Sequence, residues 1–515
     1  MSFLRSVHLT IVDFKPAIFA RNLVMFDLFA QYNALRKQGA GNKALDEIAC
    51  AMAYVFIAFA YPPFVHDAVQ NSLRRLIGAI EAGQEVFSWV YLPQTSQAPI
   101  LHYLKQWQGP ALRAHTDNRT PRHISRDRLE FVNQQVHQLL MSLGPWPLAD
   151  AVDIPVGCED DAVLVKKINV LAPPGGGGDP ELTKLLEAVK ASPEQSATDS
   201  LDDYISNHWK TNVTLIDLDW EQQLREDGSA HADRYGVYST SIFDPIQVAS
   251  AMTGTDHSLK EKKAGVISRL SDWFSKIAED IQVLIDASDL TIEVICEEVA
   301  AVMEKLQYDC YDYRLRKPPA DNSDTPAPKC TPDPTKFPKQ FDRIHMSNIP
   351  DYTGGLLNPA LFARPCLKPT PSSEFRFTNL VNRASFTSHD QINAEYTLLP
   401  SEPSIKDHFQ LVRRPSHATI TVFRDENYMV WAPWLPNAHP LPFQNLPMTR
   451  PQLEHWLHAW FLKIILPYPR GMLDGHTVNS PFNLTIFLRL VTQMHTVGYQ
   501  PTGWPPSCTQ CLQAQ

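Results

Sequence analysis

Strand-like alternation opens the chain. Val7-His-Leu-Thr-Ile-Val12 sets apolar and polar side chains in turn, and Asp13, Phe14, Lys15 and Pro16 follow before a helix opens near Ala17. The spacing of Phe19, Leu23, Phe26 and Phe29 predicts a helix from Ala17 to Arg36. Ala44 to Ala60 is apolar nearly all round, which predicts a helix buried on every side. Pro63 to Ala82 and Arg126 to Leu143 continue the helical pattern, the latter with Ser125 as its cap. The strand-then-acid pattern returns at Leu290-Thr-Ile-Glu-Val-Ile295, followed by Glu297, Glu298 and a helix to about Gln307. Phe341-Asp-Arg-Ile-His-Met346 predicts a third such strand, running into Ser347, Asn348, Ile349, Pro350 and Asp351.

Between these elements the pattern weakens. Ala162 to Leu171 reads as a strand, the run Gly175–Gly178 after Pro173-Pro174 as a linker rather than a phosphate or nucleotide contact, and Asp179-Pro180 as the cap and first-turn proline of a short helix. Ala191 to Asp203 is polar and acidic, and Asn207 to Met252 looks irregular. Ser258 to Ala287 predicts a helix, and Lys317 to Pro338 an exposed loop. Ala418–Phe423 and Tyr428–Trp431 read as a strand pair. Arg450 to Leu466 is an amphipathic helix that Pro467 ends, and Ser480-Pro481 opens a last helix to about Thr496.

Strand, acid, helix is how a parallel sheet presents groups at its carboxyl edge. The expected fold is therefore α/β, with a Rossmann-like, methyltransferase-like, mostly parallel sheet carrying large helical insertions. The glycine-rich turn that should precede the strand at Val7 is absent from this sequence, so the sheet is expected to lack its first strand. Four regions follow: 1–150, the first strand and helical part of the core; 151–257, a joint and irregular insertion; 258–370, helices and the continuation of the core; and 371–515, a C-terminal α/β to helical region.

Composition narrows the function classes. A net charge of −10 over 515 residues argues against general nucleic-acid binding, which needs a basic footprint. The most apolar stretch, Ile48 to Tyr61, is too short to span a bilayer, and the expectation is a cytoplasmic protein with no membrane contact. The 8 cysteines are dispersed rather than arranged as a disulfide framework, and only Cys508 and Cys511 have metal-ligand spacing, at most half of a zinc set.

The acid-tipped strands carry the candidate chemistry. At a strand end, Asp13 could hold ribose hydroxyls of S-adenosylmethionine, Glu297 (or its neighbour Glu298) could sit beside the adenine, and Asn348 and Asp351 could line the substrate side. At any one position, a helix cap or solvated loop acid is the commoner role. Gly175–Gly178 does not match a P-loop, because no Gly-Lys-Ser/Thr follows. Glu454, His455 and His458 share a helix, but the surrounding Trp456, Leu457, Trp460 and Phe461 favour core or interface histidines over metal ligands. Trp431-Ala-Pro-Trp434-Leu-Pro436 could present an aromatic surface to a partner or cover a core edge.

Several blocks resemble an uncharacterised family of proteins from mushroom-forming fungi: Val7 to Leu23, Asn212-Val-Thr-Leu215, Phe341 to Gly354, Leu453 to Lys463, and Ser480-Pro-Phe-Asn-Leu-Thr485. Some relatives carry a MYND zinc finger, and the family's N-terminal domain is similar to that of axonemal dynein assembly factors. The resemblance implies a methyltransferase-like core in a cytosolic protein and supplies no catalytic residues. Two expectations follow. One is a non-catalytic protein that binds a protein partner in assembly or regulation and needs no cofactor. The other is an S-adenosylmethionine-dependent methyltransferase.

Overall fold

The computed structural model describes residues 6–58, 60–108, 154, 156–168, 170–191, 195–215, 245–253, 264–315, 332–378, 388–399, 401–415, 428–434, 446–466 and 483–499. The fold is mixed α/β with a small parallel sheet and a large helical content. The chain divides into two compact units, Met1–Glu298 with Pro319–Pro334, and Val299–Pro318 with Thr335–Gln515. The first takes in the regions 1–150 and 151–257 and the opening of 258–370. The expected helix at Arg126–Leu143, the strand at Ala418–Phe423 and the Cys508/Cys511 pair lie outside the described residues.

In the first unit, β1 (Val7–Asp13) leads into α1 (Pro16–Lys37), α2 (Asn42–Ile57), β2 (Ala60–Tyr61), α3 (Pro63–Glu81), β3 (Val90–Tyr91) and α4 (Gln94–Gln108). There follow α5 (Glu159–Ile168), α6 (Pro180–Ala191), α7 (Gln195–His208), β4 (Lys210–Thr211), α8 (Pro245–Thr253), α9 (Val266–Asp286) and β5 (Leu290–Cys296). The sheet order is β1-β5-β3, all parallel, with Val7 opposite Leu290 and Asp13 opposite Cys296. The two alternating segments read from the sequence are thus direct neighbours. Helices α1 and α2 supply much of the core, with Phe19, Leu23 and Leu28 of α1 and Met52, Tyr54 and Val55 of α2 at most 1% exposed.

One sequence expectation changes here. Ala162–Leu171 is not a strand, because its residues fall mostly in α5. Three acids open that helix and Lys166 and Lys167 close it, which complements the helix dipole, and Leu164, Val165 and Ile168 share its buried face. The polar stretch after Ala191 is also helical, as α7, with Leu201 and Ile205 buried beneath an acidic surface.

The second unit holds α10 (Val299–Gln307), α11 (Asp312–Leu315), β6 (Arg343–His345), α12 (Ile349–Thr353), β7 (Glu374–Thr378), α13 (His389–Thr397) and α14 (Glu402–Phe409). β8 (Leu411–Arg414), β9 (Tyr428–Pro433), α15 (Arg450–Ile465) and α16 (Leu484–Val497) complete it. Its sheet runs β6-β7-β9-β8, parallel at β6/β7 and antiparallel elsewhere. The strand expected at Phe341–Met346 therefore does not extend the sheet of β1 and β5. It is three residues long and belongs to a separate mixed sheet. One face of that sheet buries Phe375, Phe377 and Trp431, so Trp431 is a core residue rather than part of a surface. In α15 the buried residues are Leu453, Trp456 and Trp460, whereas His455 and His458 are exposed and are not core histidines. No helix of the described residues is long and apolar enough to cross a membrane.

Candidate functional site

The carboxyl edge of the parallel sheet is built by the turn out of β1. The Lys15 amide donates to Asp13 Oδ1 at 2.9 Å, an Asx turn that hands the chain to Pro16 at the first helical position of α1. The Glu297 amide donates to the Asp13 carbonyl at 2.9 Å, so the two candidate acids leave adjacent strand ends side by side. Burial pushes the Asp13 carboxyl above its ordinary value, and the amides of Lys15 and Phe14 and the Lys15 charge offset this only in part. Between the acids, the Cys296 amide donates to Ser96 Oγ of α4 at 3.1 Å. Burial, with the Asp13 charge beside it, pushes the Cys296 thiol up to about 11. It stays protonated at neutral pH and is a poor nucleophile.

Three residues inside this edge lies a feature that sequence reasoning missed. Glu293, fully buried, occupies the middle of the central strand. The Thr10 hydroxyl of β1 donates to its Oε2 at 2.8 Å, and His8 Nε2 lies 3.6 Å away. Opposite in β3, burial and the Glu293 charge push the Tyr91 phenol up. A threonine, a glutamate and a tyrosine thus cross all three strands at one level. The available signal was the single charge inside Leu290-Thr-Ile-Glu-Val-Ile295, a pattern that demands a partner on burial.

Asn348 and Asp351 are not brought to this edge by a shared sheet. Asn348 occupies the residue before α12 and Asp351 lies within that helix, both in the second unit. The four candidate residues divide two and two between the units.

The glycine run is a built turn rather than a slack linker. Gly175, Gly176, Gly177 and Gly178 all have positive φ (58°, 69°, 64° and 79°), a region that glycine enters without steric cost. A β-carbon on Gly176 would lie 2.1 Å from Thr183 Oγ1 of α6. The turn ends on Asp179, whose Oδ1 accepts the Glu181 and Leu182 amides at 2.9 and 3.1 Å, as the cap expected of Asp179-Pro180. Gly177 and Gly178 line a cleft of about 830 Å³ with Tyr32, Asp46, Cys50 and Ser271. Its lining includes neither Asp13 nor Glu297, so cleft and carboxyl edge are separate features of the first unit. Burial, reinforced by Asp46, Asp272 and Glu47, pushes the Cys50 thiol up, and the nearby Ser271 hydroxyl offsets this in part. Among the described residues, no group of three or more His, Cys, Asp and Glu side chains has the arrangement of a metal site.

Comparison of the chain with family models, with curated proteins and with solved structures finds no match.

Proposed function

We propose that this protein works by binding a protein partner, with its α/β part as a scaffold. The carrying observation is the far end of α15. Leu453, Trp456 and Trp460 point into the second unit, yet Phe461, Leu462, Ile465 and Leu466 on the other side of the helix are 40%, 49%, 53% and 59% exposed. Leu484, at the start of α16, is 57% exposed, and Phe461 meets Phe487 edge-on at 5.8 Å. Large apolar side chains are normally enclosed, and a grouped apolar surface of this kind at a helix end marks an interaction face. A partner groove or helix that takes residues at this spacing fits it. The test is affinity purification of the intact chain beside the double variant Leu462→Asp, Ile465→Asp, both checked for native circular dichroism. The wild type should retain a protein that the variant loses. Equal recovery by both, or none above background, removes the proposal.

A second reading, an S-adenosylmethionine-dependent methyltransferase with a Rossmann-like core, draws support from Asp13 and Glu297 standing at adjacent parallel strand ends. The fit is partial. One Asp13 oxygen is held by the Asx turn, and the glycine run that would permit close backbone approach faces the cleft instead. Methyl transfer needs positioning more than acid–base chemistry, so the decisive measurement is binding. Saturable heat on titration with the cofactor, removed by Asp13→Ala, supports this reading, and a flat titration ends it.

A further inference from the structure

The face of the second sheet opposite its apolar core carries an unusual balance of charge. By register, Arg343 stands opposite Glu374, His345 opposite Arg376, and Arg376 and Arg414 both opposite Val430, so these side chains share one face. Three guanidinium groups converge on the single carboxylate of Glu374. Arg376 Nε donates to Oε1 at 2.8 Å, and Arg376 Nη2 pairs with the same oxygen. Arg343 Nε lies 3.8 Å from Oε1, and Arg414 Nη1 lies 4.0 Å from Oε2. The Arg414 side chain is anchored by donating to the Pro371 carbonyl.

The charges do not cancel. Glu374 keeps only 9% of its side chain exposed and is already engaged by Arg376, so one negative charge faces three positive ones. Arg343 and Arg414 are 75% and 35% exposed, and both sit too far from the carboxylate to be saturated by it. Burial, with the neighbouring Arg376 charge, pushes the His345 imidazole below its ordinary value. In a chain of net charge −10 such a concentration of arginine is a local exception.

We infer that Arg343 and Arg414, positioned around the Arg376–Glu374 pair, bind a single phosphate dianion or phosphate monoester. Guanidinium is the side chain whose planar fork matches phosphate oxygens two at a time, and the bonds formed are charge-assisted. The buried carboxylate holds Arg376, Arg343 reaches into solvent, and Arg414, fixed through Nη2 by the Pro371 carbonyl, keeps its remaining N–H groups for an anion. The site takes one phosphoryl group and not a polyanion, because the cluster is confined to a few residues and the whole chain would repel an extended chain of phosphates. This inference does not depend on the apolar face of α15.

Isothermal titration of the full chain with inorganic phosphate and with O-phosphoserine, at constant ionic strength in chloride, tests it. Both probes should give saturable binding at pH 7.5. Binding should weaken markedly at pH 5, because the second ionisation lies near pH 6 for a phosphate monoester and roughly one unit higher for inorganic phosphate, so both probes lose their dianion there. The double variant Arg343→Gln, Arg414→Gln should weaken binding at least about tenfold, as the loss of two charge-assisted contacts requires. Glu374→Gln should tighten it, and Arg36→Gln in the first unit should leave it unchanged. Tighter binding of phosphoserine identifies an ester as the ligand, and equal binding identifies free phosphate. Absence of saturable heat with the wild type, or equal affinity in the double variant with retained circular dichroism, overturns the inference.

Discussion

Arg21 and Asn212, far apart in the first unit's sequence, donate to the same backbone oxygen, the carbonyl of Val55, at 2.9 and 3.1 Å. Arg21 also reaches the Phe56 carbonyl, and Asn212 reaches those of Tyr54 and Ala58 at 3.3 and 2.8 Å. Together they satisfy the orphan carbonyls at the end of α2, a helix end that is buried and closed off from water. Asn212 is itself held by Thr214, whose hydroxyl donates to its Oδ1 at 2.7 Å.

Asn212→Ala should therefore destabilise the protein by about 1–3 kcal/mol, since it strands the Ala58 carbonyl and the Thr214 donors. Arg21→Met should cost about 2 kcal/mol by the same route. Because the two share an acceptor that either single variant leaves with one donor, the double variant should exceed the sum by about 0.5–1 kcal/mol. Urea unfolding of the four proteins measures this, and strict additivity would show that the shared carbonyl does not couple them.

The glycine turn offers a comparison at matched backbone conformation. Gly176 and Gly178 both have positive φ, but an added β-carbon meets Thr183 at 2.1 Å in the first case and nothing within 4 Å in the second. Gly178→Ala should cost about 1 kcal/mol for the left-handed conformation alone. Gly176→Ala should cost about 2 kcal/mol more for the clash. Equal thermal midpoints for the two variants would mean the segment is slack after all.

Thiol reactivity should separate the cysteines by burial. Cys158 and Cys366 are at most 1% exposed, and burial pushes their thiols up to about 11 and about 12, whereas Cys310 is exposed. A disulfide reagent at pH 8 should modify Cys310 at once and Cys158 and Cys366 only as their units open. Peptide mapping after timed quenching reads the order directly, and early labelling of Cys366 would contradict it.

Acidification should loosen the second unit. Burial pushes the His408 imidazole below its ordinary 6.5, against the opposing influence of the Ser404 carbonyl and Asp407. A depressed folded value gives stability that is present above 6.5 and is lost as pH falls through the folded value. The urea midpoint should drop between pH 7.5 and pH 5.5, and His408→Gln should flatten that drop. An unchanged pH dependence in the variant would assign it to other groups.

How much was legible follows from element length. The alternation of Val7–Val12 and Leu290–Ile295, and the helical spacing around Phe19 or Pro63, extend over enough residues for the period to declare itself, and α1, α3, β1 and β5 stand within a residue or two of their expected places. β3 is only two residues, Val90 and Tyr91, too short to show any period, so the third strand of the parallel sheet leaves no mark in the sequence, whereas Phe341–Met346 shows a strand pattern and belongs to the other sheet. Ala162–Leu171 misled for another reason: β-branched residues crowd a short apolar run, while its acidic opening and basic close fit a helix. At the candidate site, Asp13 and Glu297 could be paired from pattern alone. The Arg343–Glu374–Arg414 convergence could not, because it depends on the order β6-β7-β9-β8, which no local signal fixes.

The placement of β5 between β1 and β3 also governs how the molecule must be made. Thr10 and Glu293, hydrogen-bonded across the sheet, are separated by 283 positions. At synthesis rates of about 5–20 residues per second, the first strand waits on the order of half a minute for its neighbour to be made. During that interval the helices that follow it exist without the strand that unites them, and a bare apolar edge is open to rival pairing. A nascent chain of this design has reason to depend on a holding chaperone until its two hundred and ninety-sixth residue clears the ribosome, with the sheet closing late and all at once.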